Sequence, residues 1–157
     1  MTKALEVIQG LAGNSQYQLD KPFIYFSFND HKHNRIHVSD DEIVDWIEFD
    51  SNPSDLSQVI STIGEPESLL FRIDSEVCVA DMFFPKKGIY FQGECKASLV
   101  GDYWTISPNT KLYSLHFYDP QKQLDDLLLI LYGEVTGREM KEAIRPWTGY
   151  GNYPRVP

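Results

Sequence analysis

Three histidines, His31, His33 and His37, share one parity with Arg35, so on an extended strand all four side chains project to one side, as strand-borne metal ligands do. Arg35 would place a positive charge among those ligands, and no Cys or Glu-x-x-His partner completes the set. The segment Asn29–Asn34 therefore reads as a solvated polar turn, with no metal site. A fourth histidine, His116, shares a strand face with Ser114 and Tyr118, which suits a hydrogen-bonded structural role. The adjacent acids of Asp40-Asp41-Glu42 and Asp125-Asp126 point in different directions on a helix and cannot act as acid and base across one substrate. Helix capping and solubility explain them. The chain also lacks a phosphate loop, a Gly-x-Ser-x-Gly elbow, a dinucleotide fingerprint and a zinc-protease motif. No catalytic residue, no cofactor and no enzymatic activity are expected.

Cys78 and Cys95 are the only cysteines. Pro85-Lys86-Lys87-Gly88 joins two strand-like runs, and a hairpin closed there pairs Phe84 with Ile89 and, further along, Cys78 with Cys95. One face of that hairpin then carries Cys78, Ala80, Met82, Phe84, Ile89, Phe91, Gly93 and Cys95, and is wholly apolar. The other carries Val79, Asp81, Phe83, Tyr90, Gln92 and Glu94. Opposed Cα atoms in an antiparallel pair lie about 4.5–5.5 Å apart, which a disulfide can span. Two readings stay open: a cross-strand bridge, or a pair of buried thiols packed as small hydrophobes.

These groups need a scaffold, and the composition bounds it. The chain has 157 residues, 42% of them hydrophobic and 13% aromatic, which is enough for one core in a single domain spanning residues 1–157. A net charge of -9 repels phosphate backbones, so no nucleic acid is expected as a partner. The longest apolar run, Leu127–Leu131, is far short of the roughly 20 residues that cross a bilayer, so no membrane insertion is expected. As written, the chain is expected in the cytoplasm, or outside it if a leader has been trimmed.

Punctuation and periodicity predict a helix over Thr2–Leu11, then strands over Pro22–Phe28 and Arg35–Val38. The capping box Ser39–Glu42 predicts a short helical turn carrying Ile43, Trp46 and Ile47. Asn52 and Pro53 open a helix with Leu56, Val59, Ile60 and Ile63 on one stripe, closed by Gly64 and Pro66. Strands follow over Ser68–Asp74, Val77–Phe84, Ile89–Cys95, Leu99–Ile106 and Thr110–Tyr118. Asp119-Pro120 introduces a helix bearing Leu124, Leu127, Leu128 and Leu131, closed by Gly133, and a second capping box at Thr136–Glu139 opens a last helix through Ile144. The expected fold is α+β: an antiparallel meander of about five to seven strands with helices packed on one face as a two-layer sandwich. Residues 145–157 form an aromatic Gly/Pro-rich arm, in which Trp147, Tyr150 and Tyr153 either bury against this domain or dock on a partner.

Val59–Glu67, Phe84–Ile89, Phe117–Pro120 and Arg145–Gly151 occur in an order that resembles an uncharacterised bacterial family of small lipoprotein-like proteins. More distantly, the helix, its Gly-x-Pro break and the strands after it resemble the small accessory lipoprotein of the outer-membrane β-barrel assembly machine (BamE/SmpA-like). That resemblance implies a two-layer sandwich used for protein contacts, without enzymatic activity. The function expected is a non-catalytic protein-binding or assembly module. The alternatives are a small acidic inhibitor or immunity-type protein that blocks a basic site, and an enzyme or metal protein without a recognisable motif.

Overall fold

The computed structural model describes residues 17–20, 23–28, 31–39, 44–98 and 102–155. Its strands, in chain order, are β1 (Tyr17–Asp20), β2 (Phe23–Phe28), β3 (His31–Val38), β4 (Val44–Asp55), β5 (Ser68–Asp74), β6 (Val77–Phe84), β7 (Ile89–Glu94), β8 (Lys96–Ala97), β9 (Tyr103–Ile106), β10 (Lys111–Tyr118), β11 (Arg145–Pro146) and β12 (Gly151–Pro154). The helices are α1 (Leu56–Ile63), α2 (Leu124–Tyr132) and α3 (Glu134–Ala143). Nine strands form one antiparallel sheet in the order β1-β2-β3-β4-β10-β7-β6-β5-β11, and β12-β9-β8 form a small second one.

The expected α+β sandwich on a five-to-seven-strand meander is thus overturned: the described chain is mostly β, with three short helices among its described residues. Two meanders, β1–β4 and β5–β7, become one sheet because β10 returns to pair with β4 on one side and β7 on the other. Such a long-range closure leaves no local mark on the sequence. The covering layers also lie on both faces. Leu69, Phe71, Ala80, Met82 and Phe84 pack beneath α1, Trp104 and Tyr153, whereas Leu70, Phe83 and Tyr118 pack beneath Leu127 and Leu128 of α2. We call these the α1 face and the α2 face.

Local corrections have local causes. Trp46 and Ile47 lie in a strand, not a helical turn, because the run from Val44 to Asp50 alternates faces and is paired on both sides, by β3 and β10. Central pairing of β-branched and aromatic residues outweighs a single capping signal. Asn52 and Pro53 also belong to β4, at a register shift opposite β10 where a proline's missing N–H costs no ladder bond. The helix starts at Leu56 instead, with Asp55 N donating to Gln58 Oε1 at 3.2 Å and the Leu56 and Ser57 amides donating to Thr110 O and Pro108 O. Helix α3 begins directly after Gly133 rather than at Thr136. Its interior Gly137 reflects close packing, since a Cβ there would come 2.9 Å from the Leu128 carbonyl of α2. The two strands expected over Leu99–Ile106 and Thr110–Tyr118 correspond to β9, described from Tyr103, and β10, with β8 added before them. The Thr2–Leu11 helix and the Asp40–Glu42 acids fall outside the described residues.

The β6–β7 hairpin follows the expected register, with Met82 opposite Phe91 and Phe84 opposite Ile89. Its connection is a 3-10 turn, Pro85–Lys87, closed by Gly88 at φ 62. A side chain at Gly88 would be strained there and would also collide with the Tyr118 carbonyl.

Candidate functional site: a polar cleft and a braced hairpin tip

On the α2 face, strand alternation gathers polar side chains into a layer that ordinary surface strands would expose. Asp81 of β6 is fully buried, and its Oδ2 accepts from Tyr132 Oη at 3.0 Å and from Arg72 Nε at 3.3 Å. Arg72 also donates from Nη1 to Asp74 Oδ2 at 3.0 Å, and its guanidinium lies over the Tyr132 ring. Burial is the largest influence on Asp81 and raises its pKa, opposed by Arg72 and the Tyr132 hydroxyl.

A second cluster crosses β3, β4 and β10. Arg35 pairs through Nε with Glu48 Oε2, Ser114 Oγ donates to Glu48 Oε1 at 3.3 Å, and Ser114 Oγ lies 2.8 Å from His116 Nε2. The imidazole is stacked on Tyr90, with centroids 4.0 Å apart, and on Trp46 at 5.4 Å. Burial, reinforced by Arg35 and Arg72, holds His116 well below the usual histidine range, so the ring is neutral. Burial likewise raises Glu48. His116 Nδ1 has no hydrogen-bond partner.

Between these clusters lies a cavity of about 390 Å³, walled by Arg35, Glu48, Arg72, Tyr90, Gln92 and His116, with Tyr113 alongside and Leu131 and Tyr132 of α2 above. It opens at Arg35 and Asp74, whose side chains are 39% and 60% exposed. Burial raises Tyr113 to about 12 and Tyr132 further still, so both phenols stay protonated near neutrality. Chemically, Ser114 and His116 have the contact of a nucleophile and its base, but both are 1% exposed. The carboxylate sits on the serine and not on the imidazole, so nothing orients Nδ1 as a general base requires.

From Asp74 at the mouth of this cavity the chain leads straight into the β5–β6 turn. The β5–β6 turn carries two non-glycine residues at positive φ, Ser75 at 48° and Glu76 at 76°, a strained arrangement that persists only where its surroundings hold it. Directly below, Cys78 and Cys95 are joined as a disulfide with Cα atoms 5.1 Å apart, and Cys95 N donates to Cys78 O at 2.9 Å. Ile73 is 51% and Val77 45% exposed at this braced tip, beside the exposed Asp74, Glu76 and Glu94.

The aromatic arm lies on this domain. Tyr153 is buried against Phe71 and Trp104, and its hydroxyl donates to Gly149 O at 2.6 Å; β12 pairs with β9 and β11 with β5. Trp147 is half-buried on the same core, and Tyr150 is 42% exposed. His37 Nδ1 lies 2.5 Å from Asp45 Oδ1. The side chains of His31 and His33 are not among those described, and the described residues hold no cluster of three or more metal-ligating side chains. No described helix is long and apolar enough to cross a membrane.

Sequence reasoning missed Arg72, Asp81 and Tyr132 as a unit and overlooked the tip. A signal for the first was present: Asp81 sits inside Val77–Phe84, where any inward carboxylate must find partners. Comparison with family models, curated proteins and solved structures finds no match.

Proposed function

We propose that the protein is a non-catalytic docking module that grips a basic protein partner with the β5–β6 tip. The carrying observation is the combination of Ile73 and Val77, both about half exposed, with a strained Ser75-Glu76 turn fixed above a disulfide. Strain and cross-linking at an exposed apolar tip preorganise a surface, which lowers the ordering cost of binding. Asp74, Glu76 and Glu94 at this end, on a chain of net charge -9, favour a partner with a positive patch. The sealed Ser114–His116 pair supports a non-catalytic reading. An inhibitor that plugs a basic active site is the narrower form of the same proposal, and it would use the same tip.

The test is affinity capture from the native cell with the wild-type protein and with the triple variant Ile73→Ser/Val77→Ser/Glu76→Lys. A basic protein captured by the wild type and lost from an equally stable variant supports the proposal. Retention of every partner by the variant contradicts it.

A further inference from the structure

The disulfide sits where the tip leaves the support of the sheet. Strand β7 ends at Glu94 opposite Val79, so beyond Cys78 and Cys95 the hairpin of β5 and β6 runs on without a third strand among the described residues. On the outer side, β11 pairs with β5 at Ser68 and Leu69, at the far end from the tip. The overhang is therefore a two-stranded ribbon, with Ile73 opposite Cys78 and Asp74 opposite Val77. Such a ribbon is at best marginally stable in water, and this one also carries Ser75 and Glu76 at positive φ. The Arg72–Asp74 pair and the 3.2 Å bond from Ser75 Oγ to Asp74 Oδ1 lie on its exposed surface, where such contacts contribute little. What ties the root of the ribbon to the chain leaving β7 is the Cys78–Cys95 bridge, with the Cys95 amide donating to Cys78 O beside it.

The rest of the sheet does not depend on that bridge. Strands β6 and β7 are paired from Val79–Glu94 to Phe84–Ile89, and Phe71, Ala80 and Met82 pack with Trp104 and Tyr153. Cys95 also borders a cavity of about 350 Å³, whose wall includes Glu94, Lys96, Thr105 and Lys111. Lys111 is answered by Asp55 at 2.7 Å, and Lys96 faces the same cavity as Glu94, so the charges there come close to balance. On a chain of net charge -9, a balanced wall is a place where an anionic thiolate is not repelled. We infer that the Cys78–Cys95 bridge is a reduction site for a dithiol, and that its opening releases the tip while the domain stays folded. One thiolate of the dithiol attacks Cys95 Sγ, the bond between the two sulfurs breaks, and its electron pair leaves with Cys78, which takes up a proton. The second thiol loses its proton and displaces Cys95 from the mixed disulfide, and Cys95 is protonated in turn. The dithiol ends as a disulfide, having given up two electrons, and the protein holds two thiols. The freed ribbon is no longer preorganised, so the cost of ordering it returns to the binding step; this consequence rests on the docking role proposed for the tip.

The test uses the whole protein with dithiothreitol as the dithiol. Alkylation and mass measurement follow the reduction, and hydrogen exchange compares the oxidised and reduced forms. Reduction is expected at a rate that sub-denaturing urea leaves unchanged, as direct attack on the folded protein requires. In the reduced protein, protection at Asp74, Val77 and Cys78 is expected to fall at least about tenfold further than protection along β4 and β10. The variant Cys78→Ala/Cys95→Ala is expected to match the reduced form. A rate that climbs with urea in step with unfolding, an equal loss of protection at tip and ladder, or an unfolded reduced protein overturns the inference. Partner capture separates this from the docking role. A basic protein captured by the oxidised form, released by dithiothreitol and not captured by the alanine variant supports regulation of docking. Capture undiminished by reduction overturns that regulation and leaves the docking role standing. Capture by neither form contradicts the docking role, while the exchange comparison still decides the reduction site.

Discussion

The two faces of the β5–β6–β7 ladder are built from the same strands, one residue out of phase, yet they are held by different physics. Under α1, Leu69, Phe71, Ala80, Met82 and Phe84 form an apolar layer closed by Trp104, Tyr153 and the disulfide. Under α2, Arg72, Asp81, Tyr90 and Gln92 form a layer whose order depends on directed hydrogen bonds and charge pairing. The apolar layer gains its stability from area removed from water and tolerates similar shapes. The polar layer must be satisfied group by group, because an unpaired buried charge is costly. The first face therefore serves as the foundation of the domain, and the second holds preset side chains around a cavity.

The sharpest way to break this comparison is Asp81→Ala, which leaves the Arg72 guanidinium without its buried partner. A loss of about 3–5 kcal/mol in denaturant unfolding is expected, and replacing both residues by leucine is expected to recover most of it. If the double replacement is as damaging as the single one, the polar layer is not held by charge pairing. On the opposite face, Met82→Ala is expected to cost about 3 kcal/mol through lost burial and a cavity, and no second substitution at a charged residue should rescue it. Reduction of the disulfide, which closes a sequence separation of 17 residues, is expected to cost about 3 kcal/mol on the chain-entropy account, read as a lower midpoint with reductant.

A smaller effect separates the faces by pH. The folded His116 titrates below the unfolded value of about 6.5, so below that pH the unfolded chain binds more protons. This group's share of stability is complete above about pH 6.5 and falls as pH drops, by up to about 1.4 kcal/mol per pH unit until the folded pKa is reached. Glu48 and Asp81 act in the opposite sense. Their folded pKa values are raised, so acidification through those raised values towards the ordinary carboxylate range favours the folded state. The comparison of wild type with His116→Phe isolates the histidine: the variant should lose the acid-side decline. An NMR titration of His116 should show the ring still neutral well below the usual histidine range.

What could be read from the sequence divides along the same line. The β6–β7 register was legible because Pro85–Gly88 fixes the turn and the alternation of Cys78, Ala80, Met82 and Phe84 admits only one apolar face. A sheet with helices on one face only would leave Val79, Asp81 and Phe83 uncovered, although they are buried too. Nothing local says that α2 and α3 cover them. The stripes of α1 and α2 were legible from their periodicity, but the α1 start was not. Asn52-Pro53 has the grammar of a helix opening, while the pairing of Asp55 with Lys111 on β10 keeps the chain extended three residues longer. The cleft was the least legible part. Arg35, Arg72, Gln92 and His116 come from four different strands, which become neighbours only when β10 joins the two meanders.

Site-specific photo-cross-linking in the native cell tests most directly whether the braced tip is the contact surface. A photoreactive residue is placed either at Val77 on the tip or at Val135 on α3, which is 74% exposed against 45% for Val77 and serves as a more accessible apolar control. A discrete cross-link to a basic protein is expected from position 77 and is absent from position 135. Cross-links of equal yield from both positions, or a partner captured only from Val135, would contradict it.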